Sequence, residues 1–432
     1  MSAYDSGNRN LAIYPTGDTK MIRMRVKNFG PIGPWPADND GWIEFKSVTV
    51  FIGNQGAGKS TLAKLFSTFC WIEKALVRGD HPKKWFERKG RFKNMFLSYH
   101  RLENYQDLDK RGEPVIEYEG EAWAIRYSAN QLSITELPGQ QYALPQVMYV
   151  PAERNFISYV RNPSELKLSS ESLKEFLSAF ELAKQNLPKT VKLPINDTEI
   201  ENDKLNDIVN LKGPGHRLRL TDASSGFQSL VPLYMVSLHL ANAVQDQSQD
   251  KPMSADERER FAQEFTSIFD NNSLTQEQKR VAVSALSRRF NKSAFINIVE
   301  EPEQNLFPSS QWEMLKSLLE FNRQGKSNRL VLTTHSPYIV SYLSLAVQGK
   351  HLQQRIIESK QNALLPRLSA LIPESALLDP DEVAIYQCSD QDGSVIRLAT
   401  YEGIPSDKNL LNDWLRMGNS LFDQLLELEE EL

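Results

Sequence analysis

Gly53-Asn54-Gln55-Gly56-Ala57-Gly58-Lys59-Ser60-Thr61 decides how the rest of the chain is read. It fits G-x-x-x-x-G-K-[ST], a loop that wraps nucleotide phosphates, and each residue type has a physical reason. Glycines let the backbone curl until successive N–H groups point at one anion. A helix starting at Gly58 or Lys59 adds its positive dipole end. Lys59 is the expected cation for the β- and γ-phosphates, and the Ser60 hydroxyl the expected Mg²⁺ ligand. Asn54, Gln55, Ala57 and Thr61 complete the wrap. The flanks agree: Val48-Thr49-Val50-Phe51-Ile52 reads as a buried parallel strand, and Leu62, Leu65, Phe66, Phe69 and Leu76 recur at helical spacing.

The chain has 432 residues and a formal net charge of −5, so no overall basic field draws it to nucleic acid. Its 2 cysteines, Cys70 and Cys388, exclude a disulfide framework and a cysteine-built zinc site. They suit a reducing, cytoplasmic setting. No apolar run reaches membrane-spanning length, so no membrane partner is expected. Residues 1–19 are polar, lack a signal-peptide core, and read as a flexible N-terminal segment.

Outward from the loop, Ile22, Met24 and Val26 alternate with cations, the pattern of a half-buried strand, and Ile43 and Phe45 form a second strand. Residues 81–93 interleave Lys83, Lys84, Arg88, Lys89, Arg91 and Lys93 with Trp85, Phe86 and Phe92. One reading is a DNA or RNA contact; the other, which we favour, is a solvated loop anchored by its aromatics. Val115–Ser128 reads as a hairpin, and Val147–Val150 as a strand ending in Glu153-Arg154, which would either face a nucleotide or form a local ion pair. Ser164–Asn186 and Ser254–Arg289 read as helical, without sustained heptads. Pro232 is expected to kink the helix after Ser224–Gln228. Ser310-x-x-Glu313 is a capping-box signal. Near the end, Val383–Tyr386 and Val395–Leu398 flank Asp390-Gln391-Asp392-Gly393 as a hairpin, and the last helix ends in a solvated acidic tail.

Four features stand at the ends of elements in a fixed order: the phosphate loop, Ser225-Gly226 before a helix, Glu300-Glu301 after an apolar strand, and His335 after the next strand. Glu300 is expected in the Mg²⁺ coordination shell through water, and Glu301 as the base for the attacking water. His335 would sense the γ-phosphate. One ATP needs one helix-terminal anion site, which Gly53–Thr61 already supplies. Ser225-Gly226 is therefore expected to complete the site of a second copy, giving a two-fold pair with sandwiched ATP.

This order resembles the ABC-type ATPase heads of the SMC, RecF and OLD (overcoming lysogenization defect) group. Gly53–Thr61 matches Walker A, and Ser224-Ser225-Gly226-Phe227-Gln228 resembles a signature motif with Phe227 where transporters carry a second glycine. Glu300–Pro308 is similar to the E-E-P-E-x-H-L-H-P run of OLD-like ATPases, with Asn305 and Phe307 replacing its histidines. Thr334-His335-Ser336-Pro337 looks like the switch-histidine motif. The glutamine loop has no secure counterpart. The resemblance implies an α/β ABC-type P-loop head with a parallel core sheet, an antiparallel β subdomain and helical insertions. The head would span 20–432, with insertions at about 160–210 and 243–290 and a hairpin plus helix at about 379–432. It also implies ATP and Mg²⁺ as cofactors and a homo-dimer, or higher even-numbered homo-oligomer, joined through ATP. The size resembles stand-alone ATPases of anti-phage systems such as the Septu ATPase, implying a separate effector protein, a nuclease. Two alternatives are a DNA-repair ATPase of SMC or RecF type and an OLD-type nuclease using Asp390, Asp392 and Glu402. A third is a transporter's ATPase subunit.

Overall fold

In a computed structural model, the described residues are 21–431 apart from 36–39, 106–111, 139–141, 161–167, 169, 207, 249–254, 272, 277, 281, 284–285 and 287–292. The segment 1–19 lies outside them, as do 161–167 of the first proposed helical insertion and 249–254 of the second.

The centre is a six-stranded mixed sheet. Its strands in chain order are β1 (Val48–Gly53), β2 (Pro145–Val150), β3 (Ala294–Glu300), β4 (Arg329–Thr334), β5 (Val383–Cys388) and β6 (Val395–Arg397). Across the sheet they run β6-β5-β1-β4-β3-β2, and all pairings but β5–β6 are parallel. Every residue of β1 and β3 is buried, which is why both read as unbroken apolar runs: layers cover both faces. On one face, Phe51 packs with the helix Lys59–Arg78 and an antiparallel sheet that contains Ile22–Lys27 and the strands from Val115 to Glu136. On the other, Val48, Val50 and Ile52 pack with the helices Ser225–Ser248, Pro308–Arg323 and Pro337–Glu358. Among the described residues no helix is long and apolar enough to cross a membrane.

Two readings of the sequence need correction. The stretch near 160–210 is not wholly helical. The helix Glu171–Asn186, capped by Ser170, is followed by strands at Thr190–Lys192, Glu199–Asp203 and Ile208–Gly213, with His216–Arg219 closing a four-stranded antiparallel sheet. Ile200, Val209 and Leu211 are the buried half of an alternation whose acids face water. The hairpin at 383–397 forms as expected, and its first strand, β5, also lies directly beside β1, with Cys388 opposite Gly53. A Cβ on Gly53 would meet the Cys388 carbonyl oxygen at 2.4 Å, so this close approach requires glycine. Ser310 caps nothing, because Pro308 with its fixed φ starts that helix and Phe307 is its N-cap. The helix Ser225–Ser248 carries Pro232 near its start. The proline lacks an N–H, and the freed Gln228 carbonyl accepts the Ser158 hydroxyl at 3.1 Å.

Candidate functional site

The phosphate loop, Glu300, Glu301 and His335 gather at one edge of the central sheet, where the parallel strands end. The phosphate loop leaves β1. His335 follows β4, which is the neighbour of β1; Glu300 ends β3, one strand further out; and Pro151–Arg154 follow β2.

The loop is built for an anion. Gly56 and Gly58 sit at φ 76° and 94°, the left-handed region, and Gly58 is the N-cap of the helix Lys59–Arg78. No side chain caps that helix, and no acid stands in its first turn. The first-turn amides and the dipole are thus left for an external acceptor. Lys59 is buried, and its Nζ donates to the carbonyls of Gly53 at 3.0 Å and Asn54 at 2.8 Å. Burial pulls the ammonium below its usual range, opposed by Cys388, Glu301, Glu303 and Glu300. Asn54 is held in turn by the C-terminal hairpin, donating to Asp390 at 2.9 Å.

Glu300 is buried. One oxygen, Oε2, accepts the Ala152 N–H at 3.1 Å; the other, Oε1, is buried without a protein partner. An orphaned carboxylate oxygen at this edge fits a cation or its water, and the Ser60 hydroxyl would be the second protein oxygen. Among the described residues no three acid, His or Cys side chains cluster as a metal site. A Mg²⁺ held here would take its remaining oxygens from the phosphates and water.

Glu301 sits at φ 45°, a strained value for a side-chain-bearing residue. Its N–H bonds the Thr333 carbonyl at 2.8 Å, and the turn continues to Asn305, also left-handed at φ 59°. This geometry brings the Glu301 carboxylate to 3.6 Å from His335 Nε2. Burial and the neighbouring Glu300 push the Glu301 carboxyl above its usual range, the direction a base near neutral pH needs. Burial and Lys59 push His335 below its usual value, so the imidazole is neutral at pH 7. Glu303 fixes the histidine's position by accepting the Thr334 hydroxyl and the His335 N–H, both at 2.8 Å.

Arg154 was the residue whose role the sequence left open, and it neither forms an ion pair nor faces solvent. It is 0 % exposed. Its guanidinium donates to the carbonyls of Glu300 and Glu301, each at 2.6 Å, of Pro151 at 3.3 Å and of Ser229 at 3.0 Å. One side chain thereby ties the tip of β3 to the first turns of the helix that Ser225 opens. Burial lowers its pKa to about 10, still charged at pH 7. Adjacent Glu153 faces outward, 3.7 Å from Arg101.

Among the described residues no hydrogen bond links Ser225 or Gly226 to their own chain's phosphate loop. They sit beside the β3 tip, where a Cβ on Gly226 would meet the Asn305 carbonyl at 2.8 Å, and Asn305 donates to Ser229 Oγ at 3.0 Å. Ser225 is exposed, and Phe307 beside it is 75 % exposed. The nuclease candidates are occupied in turns: Asp390 holds Asn54, Asp392 accepts the Ser394 N–H at 2.9 Å, and Glu402 sits at φ 51° between two short strands. In the basic segment, Phe86 and Phe92 are buried and Trp85 stacks on His81 at 3.7 Å with Arg91 over its ring, so the aromatics serve as anchors.

Residues 273–340 match the family model of the AAA ATPase domain (AAA_15). No protein of curated function matches the chain. Among solved structures it is similar to the SMC head domain from Thermotoga maritima, at 11 % identity and TM-score 0.34, covering 88 % of this chain and 99 % of that one. The Smc head domain with an extended coiled coil derived from Pyrococcus furiosus, bound to the C-terminal domain of ScpA, gives 10 % identity and TM-score 0.35, covering 94 % and 99 %. A nucleotide-free ATP-binding cassette from an ABC transporter gives 11 % and 0.28, covering 89 % and 93 %.

Proposed function

We propose that the chain is an ATP-binding and ATP-hydrolysing head of ABC type that works as a two-fold pair. Gly53–Thr61 of one copy holds the triphosphate and Mg²⁺, with Ser60 and Glu300 on the metal's side. Glu301 accepts the proton of the attacking water, and neutral His335 reports the γ-phosphate. The Ser225-Gly226 helix end of the other copy closes the site. The observation that supports this is the Arg154 tether: it ties the Glu300-Glu301 tip to a helix that opens on exposed Ser225, whose first-turn N–H groups would receive a phosphate. Closing on ATP and reopening after hydrolysis gives two states that a bound partner can read. Asp390 and Asp392 are engaged in turns, so we assign any cutting chemistry to a separate effector, a nuclease of the kind paired with anti-phage ATPases. Two buried, unpaired cysteines suit a cytoplasmic location.

Complementation tests the shared site. Lys59→Ala alone should bind no nucleotide, and Ser225→Arg alone should bind ATP but not hydrolyse it. Mixed one to one, half the pairs are hybrids, and each hybrid has one intact site. Turnover should return to roughly a quarter of wild type, by counting sites in a two-fold pair. Mixtures as inactive as their parents contradict a site shared between copies.

A further inference from the structure

Behind Glu300 lies a polar group that the chemistry above leaves unused. Tyr149, next to last in β2, pairs with Ile298 of β3 in parallel register. Paired residues share a face of a sheet, and so do residues two apart along a strand, so Tyr149, Ile298 and Glu300 lie on one face. Tyr149 and Ile298 pack there with Phe51, Leu62 and Phe66, beneath the helix Lys59–Arg78 that also carries Ser60. Tyr149 is buried, and its hydroxyl has no hydrogen-bond partner. Burial and the Glu300 carboxylate hold the phenol well above its usual pKa. Glu300 Oε1 is without a partner too, so an orphaned donor and an orphaned acceptor are buried together on one face. His100 backs the pair, its ring edge-on to the Tyr149 ring with centroids 4.8 Å apart. Burial and the nearby Lys64 and Arg280 keep that imidazole neutral, so it brings Glu300 no charge. A buried hydroxyl left unmet is a net cost to the fold, and phenylalanine would fill the same space without it.

We propose that Tyr149 is a positioning residue for the Mg²⁺ site: its hydroxyl donates to Glu300 Oε1, directly or through a water, and aims the carboxylate at the metal. The role rests on reading Glu300 as the metal's acid. A carboxylate offers about four lone-pair sites, so Oε1 can accept from Tyr149 and still face a metal-bound water. Oε2 is already held by the Ala152 N–H at 3.1 Å. With both oxygens tied, the carboxylate cannot swing away from the metal's side. Such outer partners hold a ligand's orientation and so set metal affinity, although they never touch the metal. The raised phenol pKa keeps the proton on Tyr149, so it remains a donor at neutral pH.

Metal affinity, read without turnover, tests the role. Mn²⁺ is titrated into the full chain holding the non-hydrolysable ATP analogue AMPPNP, and free metal is read by electron paramagnetic resonance. Tyr149→Phe should weaken Mn²⁺ binding about tenfold, the low end for an outer-shell partner. AMPPNP binding in EDTA should stay at the wild-type level, and the guanidinium midpoint at or above it, because only an unmet hydroxyl is lost. Glu300→Gln should weaken the metal at least as much. Adding Tyr149→Phe to it should change little further, since the tyrosine acts through the carboxylate. Wild-type Mn²⁺ affinity in Tyr149→Phe, beside a weakened Glu300→Gln, overturns the tyrosine's role and leaves that of Glu300 intact. Wild-type affinity in Glu300→Gln removes the metal reading, and the positioning role with it. A lowered midpoint in Tyr149→Phe, or effects that add in full in the double variant, would make the hydroxyl structural and overturn the proposal.

Discussion

Glu301→Gln is expected to lower ATP turnover by about 10²–10⁴-fold, the usual share of a positioned general base. ATP binding should survive, because the amide keeps the shape and the phosphate loop is untouched. Unable to hydrolyse, the pair should accumulate in its ATP-bound, closed form. The backbone reason for choosing Glu301 over Glu300 is its position. Glu300 is the last strand residue, one oxygen committed to Ala152, whereas Glu301 has turned left-handed and lies 3.6 Å from His335. The pH profile gives a second reading of the same residue. The base must be ionised to work, and its carboxyl is raised by burial and Glu300. Turnover in wild type should therefore fall on acidification at a higher pH than an ordinary glutamate, near 4.3, would give. Single-turnover hydrolysis of labelled ATP across pH checks both. Wild-type rates in Glu301→Gln would remove the base assignment.

The second large effect is on Arg154. Arg154→Met keeps the length of the side chain and removes every donor. The carbonyls of Glu300, Glu301 and Ser229 would then lose charged partners inside the protein, at about 1–3 kcal/mol for each group left unsatisfied. The loss should be partial, since Glu301 O also accepts the Gln304 N–H at 3.0 Å, so roughly 3–5 kcal/mol of stability is expected to go. A guanidinium titration measures it as a drop in midpoint. Arg154→Lys retains the charge but cannot reach several carbonyls at once, so it should recover only part of the stability. If Arg154→Met unfolds at the wild-type midpoint, the tether is not structural.

What was legible in the chain follows the range of the interactions. The phosphate loop, the paired glutamates and His335 announce themselves locally, because each needs a particular residue type at the end of an apolar strand. Arg154 also follows an apolar strand, but nothing local gave its role. Its partners are backbone carbonyls, which any residue supplies, and they lie at positions 229, 300 and 301, far along the chain. The neighbour of β1 was hidden for a similar reason. Val383–Cys388 reads as one arm of a local hairpin, and only the fold shows its other edge paired with the strand before the phosphate loop. The Glu199–Asp203 strand was masked by its acids, which suggested a break while Ile200 and Asn202 turned inward. Ser310-x-x-Glu313 was misleading because Pro308, two residues earlier, had already fixed the helix start.

The central claim is that a single copy does not hold a finished catalytic pocket. A structure of Glu301→Gln with ATP and Mg²⁺ tests it directly. The expected result is a two-fold pair in which Ser225 of one copy lies within hydrogen-bond distance, about 3 Å, of the γ-phosphate on the other copy's Gly53–Thr61 loop. ATP bound with Ser225 remote from every nucleotide in the assembly would contradict it.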